Sequence, residues 1–307
     1  MPPEFVNFDF MMNILRLLKN KRQMLAVSGM TPKEFELLLV TFSNIYMLKK
    51  KNKERKRKSG GGRKGFIKDI RNKLFVTLFY LKVYPTYDLA GFIFGVDGSR
   101  VCEWIGEYLP ILEKALGREA VLPIRKINNA GEFSELFPWV QDVFIDGTER
   151  PIQRPKKAKN KKKTYSGKKK VNTRKNILIS DDKKKILYLS PTKSGRIHDI
   201  NQIKKTNDAP NIPSYISSWL DKGFVGLEGL IGGMPFIPKK KPPKKSLSDA
   251  DRESNKIISS IRITIENAIC GIKRFGAATT ILRNRIGIDD TFMSVSAGLW
   301  NFHLQYS

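Results

Sequence analysis

The amino-acid pattern predicts a mixed α/β chain: an N-terminal all-α region containing a helix-turn-helix, then a mixed sheet with helices packed on it. Three observations carry that prediction. Apolar residues recur at helical spacing through about residue 117. Beyond about residue 120, short apolar runs end in acids or turn residues, in the order strand, hairpin, helix, strand, helix. Finally, 57 Lys and Arg stand against 29 Asp and Glu, a net charge of +28, which points to a polyanionic partner, either nucleic acid or an anionic membrane surface.

The elements follow in order. Residues 4–50 read as helical. Within them "TPKE" (31–34) offers Thr31 as N-cap, Pro32 at the first helical position and Glu34 to close a capping box. Phe35, Leu37, Leu38, Leu39 and Phe42 then form a broad apolar face. The run 49–65, "KKKNKERKRKSGGGRKG", has no apolar side chain and reads as a loop or linker. A solvated charge run and a phosphate-contacting segment both remain open for it. A helix over about 69–83 carries Ile70, Leu74, Leu78 and Leu81, and Pro85 stops it.

The next segment, 86–117, reads as two helices. Thr86 caps the first, Gly95 makes the turn and Ser99 caps the second, with Leu89, Ala90, Val96, Val101 and Ile105 packed between them. That is the pattern of a helix-turn-helix whose second helix enters the major groove, with Ser99, Arg100 and Glu103 facing outward. A plain helical hairpin has the same pattern; the global charge favours the DNA reader.

In the second part, "VQDVFIDG" (140–147) is strand-like and ends in Asp146. Residues 175–191 form a hairpin around Asp181-Asp182-Lys183. A helix begins at Asp199, read as its N-cap, with Gln202 in the capping-box place. "SYISSWLDKGFVGL" (214–227) is a further apolar run ending in Asp221. Residues 246–276 read as one long helix with Ile257, Ile261, Ile265, Ile269 and Ile272 on a stripe.

Several classes are excluded. No apolar stretch is long and charge-free enough to span a membrane; the longest, 74–85, is broken by Lys82. The first ten residues carry acids and no basic n-region, so no signal peptide is expected. Only Cys102 and Cys270 occur, which argues against a disulfide framework or a zinc module, and only His198 and His303, which excludes a histidine-rich metal site. A cytoplasmic nucleic-acid protein is the expectation.

Asp146 and Asp221 each follow an apolar strand, and Glu266 lies beside the apolar stripe of its helix. If the two strands are neighbours, their ends bring the aspartates into one crevice, and a helix across the sheet adds the glutamate. Three carboxylates together repel unless a divalent cation neutralises them, and oxygen-only ligands favour Mg²⁺ or Mn²⁺. Two such ions assist in-line phosphoryl displacement. Each acid also has a plainer reading. An Asp-Gly after a strand is a common turn, and Glu266 at i+4 from Arg262 suits a surface ion pair. Asp199 after His198 suits either ligation or helix capping.

The segments "IDGTERPI", "YSGKKKVNTRKNILI", "SGRIHDI", "LDKGFVGL" and "RITIENAICGIKRF" resemble, in order, the blocks of DDE transposases of bacterial insertion sequences and of the similar Harbinger-like transposases. Residues 74–105 resemble the helix-turn-helix preceding that catalytic domain. The resemblance implies a ribonuclease-H-like catalytic fold with Asp146, Asp221 and Glu266 as catalytic, metal-holding acids, and Asp199, with His198, as an accessory or structural member of the site. It also implies two divalent ions, Mg²⁺ or Mn²⁺. Arg262-x3-Glu266-x6-Lys273 matches most of a helix signature that usually has Tyr three residues before the Arg; here that residue is Ser259. Arg262 and Lys273 are implied to flank phosphates. The strand-connecting run 154–170, with Arg154, Lys168, Lys169 and Lys170, is the densest basic segment; its like charges repel unless a polyanion is near, so it reads as a DNA contact rather than a solvated loop.

The domains expected are 1–66 (helices and basic linker), 67–120 (helix-turn-helix) and 135–307 (catalytic). The implied activity is cleavage at the element's end and attack of the freed 3′-OH on target DNA, both in-line phosphoryl transfers on double-stranded DNA, by a homodimer that brings two ends together. Two other readings stay open: a relative that binds DNA without cutting it, and a basic RNA-binding structural protein.

Overall fold

The computed structural model describes residues 14–51, 66–206, 211–226, 232–242 and 246–307. Most of the basic run 49–65, from residue 52 onward, and residues 4–13 of the helical stretch lie outside the described residues. The chain groups into two compact units. The first takes the described residues up to Leu122 together with Arg274–Ala278 and Thr291–Ser307; the second takes Pro123–Lys273 and Thr279–Asp290.

The helices up to Leu122 are α1 (Ile14–Leu18), α2 (Lys21–Ser28), α3 (Pro32–Lys51), α4 (Ile70–Val83), α5 (Tyr87–Phe94) and α6 (Gly98–Arg118). The stretch read as helical, with a helix start expected at Thr31, is broken there and once more between Leu18 and Lys21. Asn20 caps α2 by accepting from the Gln23 N–H at 3.0 Å, and Gly29 ends it in the left-handed region. The capping box forms as read: the Thr31 N–H donates to Glu34 at 2.9 Å and the Glu34 N–H donates to Thr31 Oγ1 at 3.2 Å. Phe35, Leu38 and Phe42 are buried, but Leu37 is exposed and Leu39 half-buried, so the apolar face is narrower than predicted.

The Thr86 hydroxyl caps α5, accepting from the Leu89 N–H at 3.1 Å, and Gly95 makes the turn. Helix α6 starts earlier than predicted. Asp97, not Ser99, is its N-cap residue, because the Asp97 carbonyl accepts the first helical bonds, from Arg100 and Val101. Ala90, Val101 and Ile105 are buried and Val96 is half-buried, whereas Leu89 points outward at 50% exposure. The turn is tight enough to require a glycine: a Cβ on Gly91 would lie 2.4 Å from the Val96 carbonyl oxygen. Ser99, Arg100 and Glu103 are exposed, as expected, and Arg100 pairs with Glu103 at 2.6 Å.

From residue 123 the elements are α7 (Ala130–Leu136), β1 (Asp142–Pro151), α8 (Ala158–Thr164), β2 (Tyr165–Ser166), β3 (Val171–Ser180), β4 (Ile186–Leu189), β5 (Lys193–Ser194), α9 (Asp199–Thr206), β6 (Ser217–Leu220), β7 (Met234–Phe236), α10 (Asp249–Ile261), α11 (Ile263–Lys273), α12 (Gly276–Thr279) and α13 (Ile288–Tyr306). The sheet order is β2-β3-β1-β6-β7, with β4 and β5 also paired to β3. Strands β1, β6 and β7 are parallel and β3 runs antiparallel to β1. This mixed sheet after a helical region is the predicted class, and it is consistent with a ribonuclease-H-like fold. Its core gathers Val143, Ile145, Ile177, Ile179, Tyr188, Leu220 and Phe224.

Four local expectations change. Asp146 does not end its strand: β1 continues to Pro151, paired with β3 as far as Thr173. The basic run 154–170, expected only to connect two strands, contains α8 and β2. The long helix is two, with the break at Arg262, and Ile257 is 53% exposed rather than on a buried stripe. Asp199 is the first residue of α9 rather than its cap. The His198 carbonyl accepts the first helical bond, from Gln202, and the Gln202 side chain turns to Ser190 at 2.9 Å instead of closing a capping box.

Candidate functional site

Register brings the two aspartates together. The parallel β1–β6 pairing ends at Ile145 opposite Leu220, so the next residues along the two strands are Asp146 and Asp221. Beyond this point β1 stays paired to β3, while the chain after β6 turns into a short 3₁₀ helix over Lys222–Phe224. Each carboxylate accepts a 2.7 Å bond from the backbone N–H that follows it, Gly147 for Asp146 and Lys222 for Asp221. Those bonds fix the acids against rigid backbone. Helix α11 packs on β1 and β3.

Asp146, Asp199, Asp221 and Glu266 line one cleft of about 380 Å³, together with Glu149, Lys168, Lys169, Arg262 and Lys273. The sequence-predicted acids therefore line the same cleft, with Asp199 among them. Arg154 and Lys170 line a separate groove, and Ser99, Arg100 and Glu103 lie on α6 of the first unit.

The cleft's electrostatics centre on Arg262. Its guanidinium lies 3.3 Å from Asp221 and 3.8 Å from Asp146, with only 11% of the side chain exposed. It neutralises two carboxylates that would otherwise repel. Burial pushes the Asp146 carboxyl above its ordinary value, and the nearby Asp221 adds to this; the Gly147 N–H and Arg262 oppose it. Burial also lowers Lys273, and Lys169 adds like-charge repulsion. Glu266 is exposed on the first turn of α11.

A second ionic group supports Asp199. Lys175 Nζ lies 2.9 Å from Asp199 and 3.2 Å from Glu149, and all three side chains are largely buried. Burial opposes the Lys175 charge, but its two carboxylate partners outweigh it and hold its pKa above the ordinary value. Burial likewise opposes ionised Glu149, yet bonds from Thr173 and Ser166 and the Lys175 charge lower its pKa on balance. Gly147 is needed beside this group: a Cβ there would lie 2.9 Å from Asp199 Oδ1. Sequence reasoning missed Glu149 and Lys175. The signal lies in register, since Glu149 and Lys175 are direct partners across β1 and β3.

Asp146 and Asp221 supply oxygen-only donors of the kind hard divalent cations take, and the Arg262 guanidinium already puts positive charge beside both. The chemistry of the donor set thus fits such an ion. Among the described residues, no three His, Cys, Asp or Glu side chains are close enough to hold one ion together.

Comparison with known proteins agrees with this architecture. Residues 145–301 match the family described as DDE superfamily endonuclease, and residues 69–118 match the helix-turn-helix of DDE superfamily endonuclease. The chain is similar to the probable transposase for insertion sequence element IS702 of Microchaete diplosiphon, at 28% identity over 264 residues, 86% of this chain and 90% of that one. No solved structure matches it significantly. The matched span covers more than half of the chain and contains Asp146, Asp221 and Glu266; the chain belongs to the DDE superfamily endonucleases of the transposase type, with a DNA-binding helix-turn-helix ahead of the endonuclease region.

Proposed function

We propose that the protein is an active transposase that cuts DNA at the ends of its own element and joins the freed end to target DNA. The observation that carries this reading is the register of β1 and β6, which sets Asp146 beside Asp221 in a cleft shared with Glu266. In this reading the helices of 67–120 recognise the terminal repeat, with Ser99, Arg100 and Glu103 on the reading face, and residues from 135 onward carry the chemistry. Asp146, Asp221 and Glu266 would hold Mg²⁺ or Mn²⁺, which when bound supplies positive charge for in-line phosphoryl transfer. Asp199 acts as a supporting member through Lys175 rather than as the second acid.

The chain's own residues do the remaining work. The backbone N–H groups of Gly147 and Lys222 orient the carboxylates. Lys168, Lys169 and Lys273 line the same cleft and suit the phosphates on either side of the scissile bond. Arg262 holds the acid pair together until DNA or cation arrives. Synapsis of two ends calls for a homodimer.

The test is direct. Purified protein is incubated with labelled duplex carrying the inverted repeat that flanks its own gene, in Mg²⁺, in Mn²⁺ and in chelator. Nicking at the repeat end with metal and none with chelator supports the proposal. Repeat-specific binding without nicking in either metal makes the non-cutting DNA-binding relative the better reading.

A further inference from the structure

We infer that a second groove, next to the acidic cleft, binds an unpaired stretch of the DNA strand, with Tyr165 as a stacking platform for its bases. The inference rests on the DNA-cleaving reading above. The groove has a volume of about 1050 Å³, and among the described residues it is lined by six basic side chains, Arg154, Lys170 and Arg196 among them, and by no carboxylate. That charge selects a polyanion. The groove also has an apolar part: Tyr165, Val171 and Ile281 line it at 44%, 48% and 53% exposure. A closed duplex offers a basic wall its phosphates but keeps the base faces stacked inside. An opened strand offers both phosphates and ring faces, and an exposed aromatic within a basic groove suits that pairing.

Tyr165 is held in place. It pairs across β2 and β3 with Asn172, whose buried amide donates to the Lys161 carbonyl at 2.9 Å and to the Thr164 hydroxyl at 2.8 Å. Those bonds tie α8 and β2 to β3, so the platform is rigid before DNA arrives.

The groove is also placed to receive the strand that leaves the cleft. Lys168 and Lys169 line the cleft, and the next residue, Lys170, lines the groove, so one turn serves both. Strand β1 carries Asp146 and reaches the groove at Ile152 just past its end. At ~3.3 Å per residue those six residues span roughly 20 Å, or about six steps of a DNA strand at ~3.4 Å per step. The unpaired segment should lie on that order of distance from the cut.

The test uses full-length protein in chelator, so that no cutting occurs, and fluorescence anisotropy with two DNAs of the same terminal sequence: a blunt duplex and one with an unpaired extension of about six nucleotides carrying 2-aminopurine. Wild type should bind the extended end on the order of 10-fold more tightly, the effect of one or two stacked bases, and change the 2-aminopurine emission. Tyr165→Ala should lose that preference and the emission change while keeping its affinity for the blunt duplex, which also shows that it is folded. Tyr165→Phe should keep the preference. Equal wild-type affinity for both ends, or a preference that survives Tyr165→Ala, would overturn the inference. Protein that never cuts yet keeps a Tyr165-dependent preference would sink the cleavage reading and leave the groove standing; protein that cuts but binds both ends alike would do the reverse.

Discussion

Arg262 stands where two carboxylates need a cation. Its contacts to Asp146 and Asp221 explain how both acids coexist in a partly buried cleft of the metal-free chain. Arg262→Ala should therefore destabilise the metal-free protein by about 1–3 kcal/mol, since it leaves the acid pair uncompensated. Added Mg²⁺ should restore more stability to this variant than to wild type, as thermal unfolding with and without the ion would show. No change in melting temperature would mean that the contacts are incidental. Asp146 gives a pH signature of known sign. Its folded pKa lies above its unfolded value because of burial, so the folded state binds the proton more readily. The stability tied to this group rises as pH falls through the folded pKa and is lost above it. Asp146→Asn should thus raise the melting temperature of the metal-free protein at neutral pH by a few degrees and flatten its change on mild acidification. A variant that melts lower at neutral pH would contradict this.

At the scale of elements, local chemistry was readable and register was not. The Thr31–Glu34 capping box, the Thr86 cap, the Gly95 turn and the hairpin at Asp181 all follow from side chains within a few residues of each other. Their competition with the backbone is local, so sequence reveals it. The misplaced features each depended on a distant partner. Pairing with β3 carries β1 past Asp146 to Pro151. Lys175 takes the Asp199 carboxylate that a cap would have used. The break at Arg262 falls where its side chain meets acids from two other elements. The three proposed acids stood out in sequence at two strand ends and beside a helix stripe, and a family resemblance chose Asp221 over Asp199; their sharing of one cleft rests on strand pairing that the sequence could only suppose. The helix-turn-helix offers a test of tight packing. Gly91→Ala would put a Cβ 2.4 Å from the Val96 carbonyl, so it should cost about 1–3 kcal/mol and weaken binding to the terminal repeat. Unchanged stability by denaturant titration would show that α5 and α6 can part without cost.

At the scale of the whole molecule, the net charge of +28 sets how DNA is met. No helix of the described residues is long and apolar enough to cross a membrane. Binding to DNA should weaken steeply as salt rises, with a log–log slope of several units if the cleft, the groove and the helix-turn-helix each meet phosphates. A flat titration between low and physiological salt would remove the electrostatic account. The central claim concerns which carboxylates cut. The measurement that tests it most directly is single-turnover nicking of the repeat-end duplex in Mn²⁺ by wild type beside Asp146→Ala, Asp221→Ala and Asp199→Ala, each first shown to bind the repeat. The account predicts loss of nicking in the Asp146 and Asp221 variants and partial activity in the Asp199 variant. An inactive Asp199→Ala beside an active Asp221→Ala would contradict it and transfer the second acid to α9.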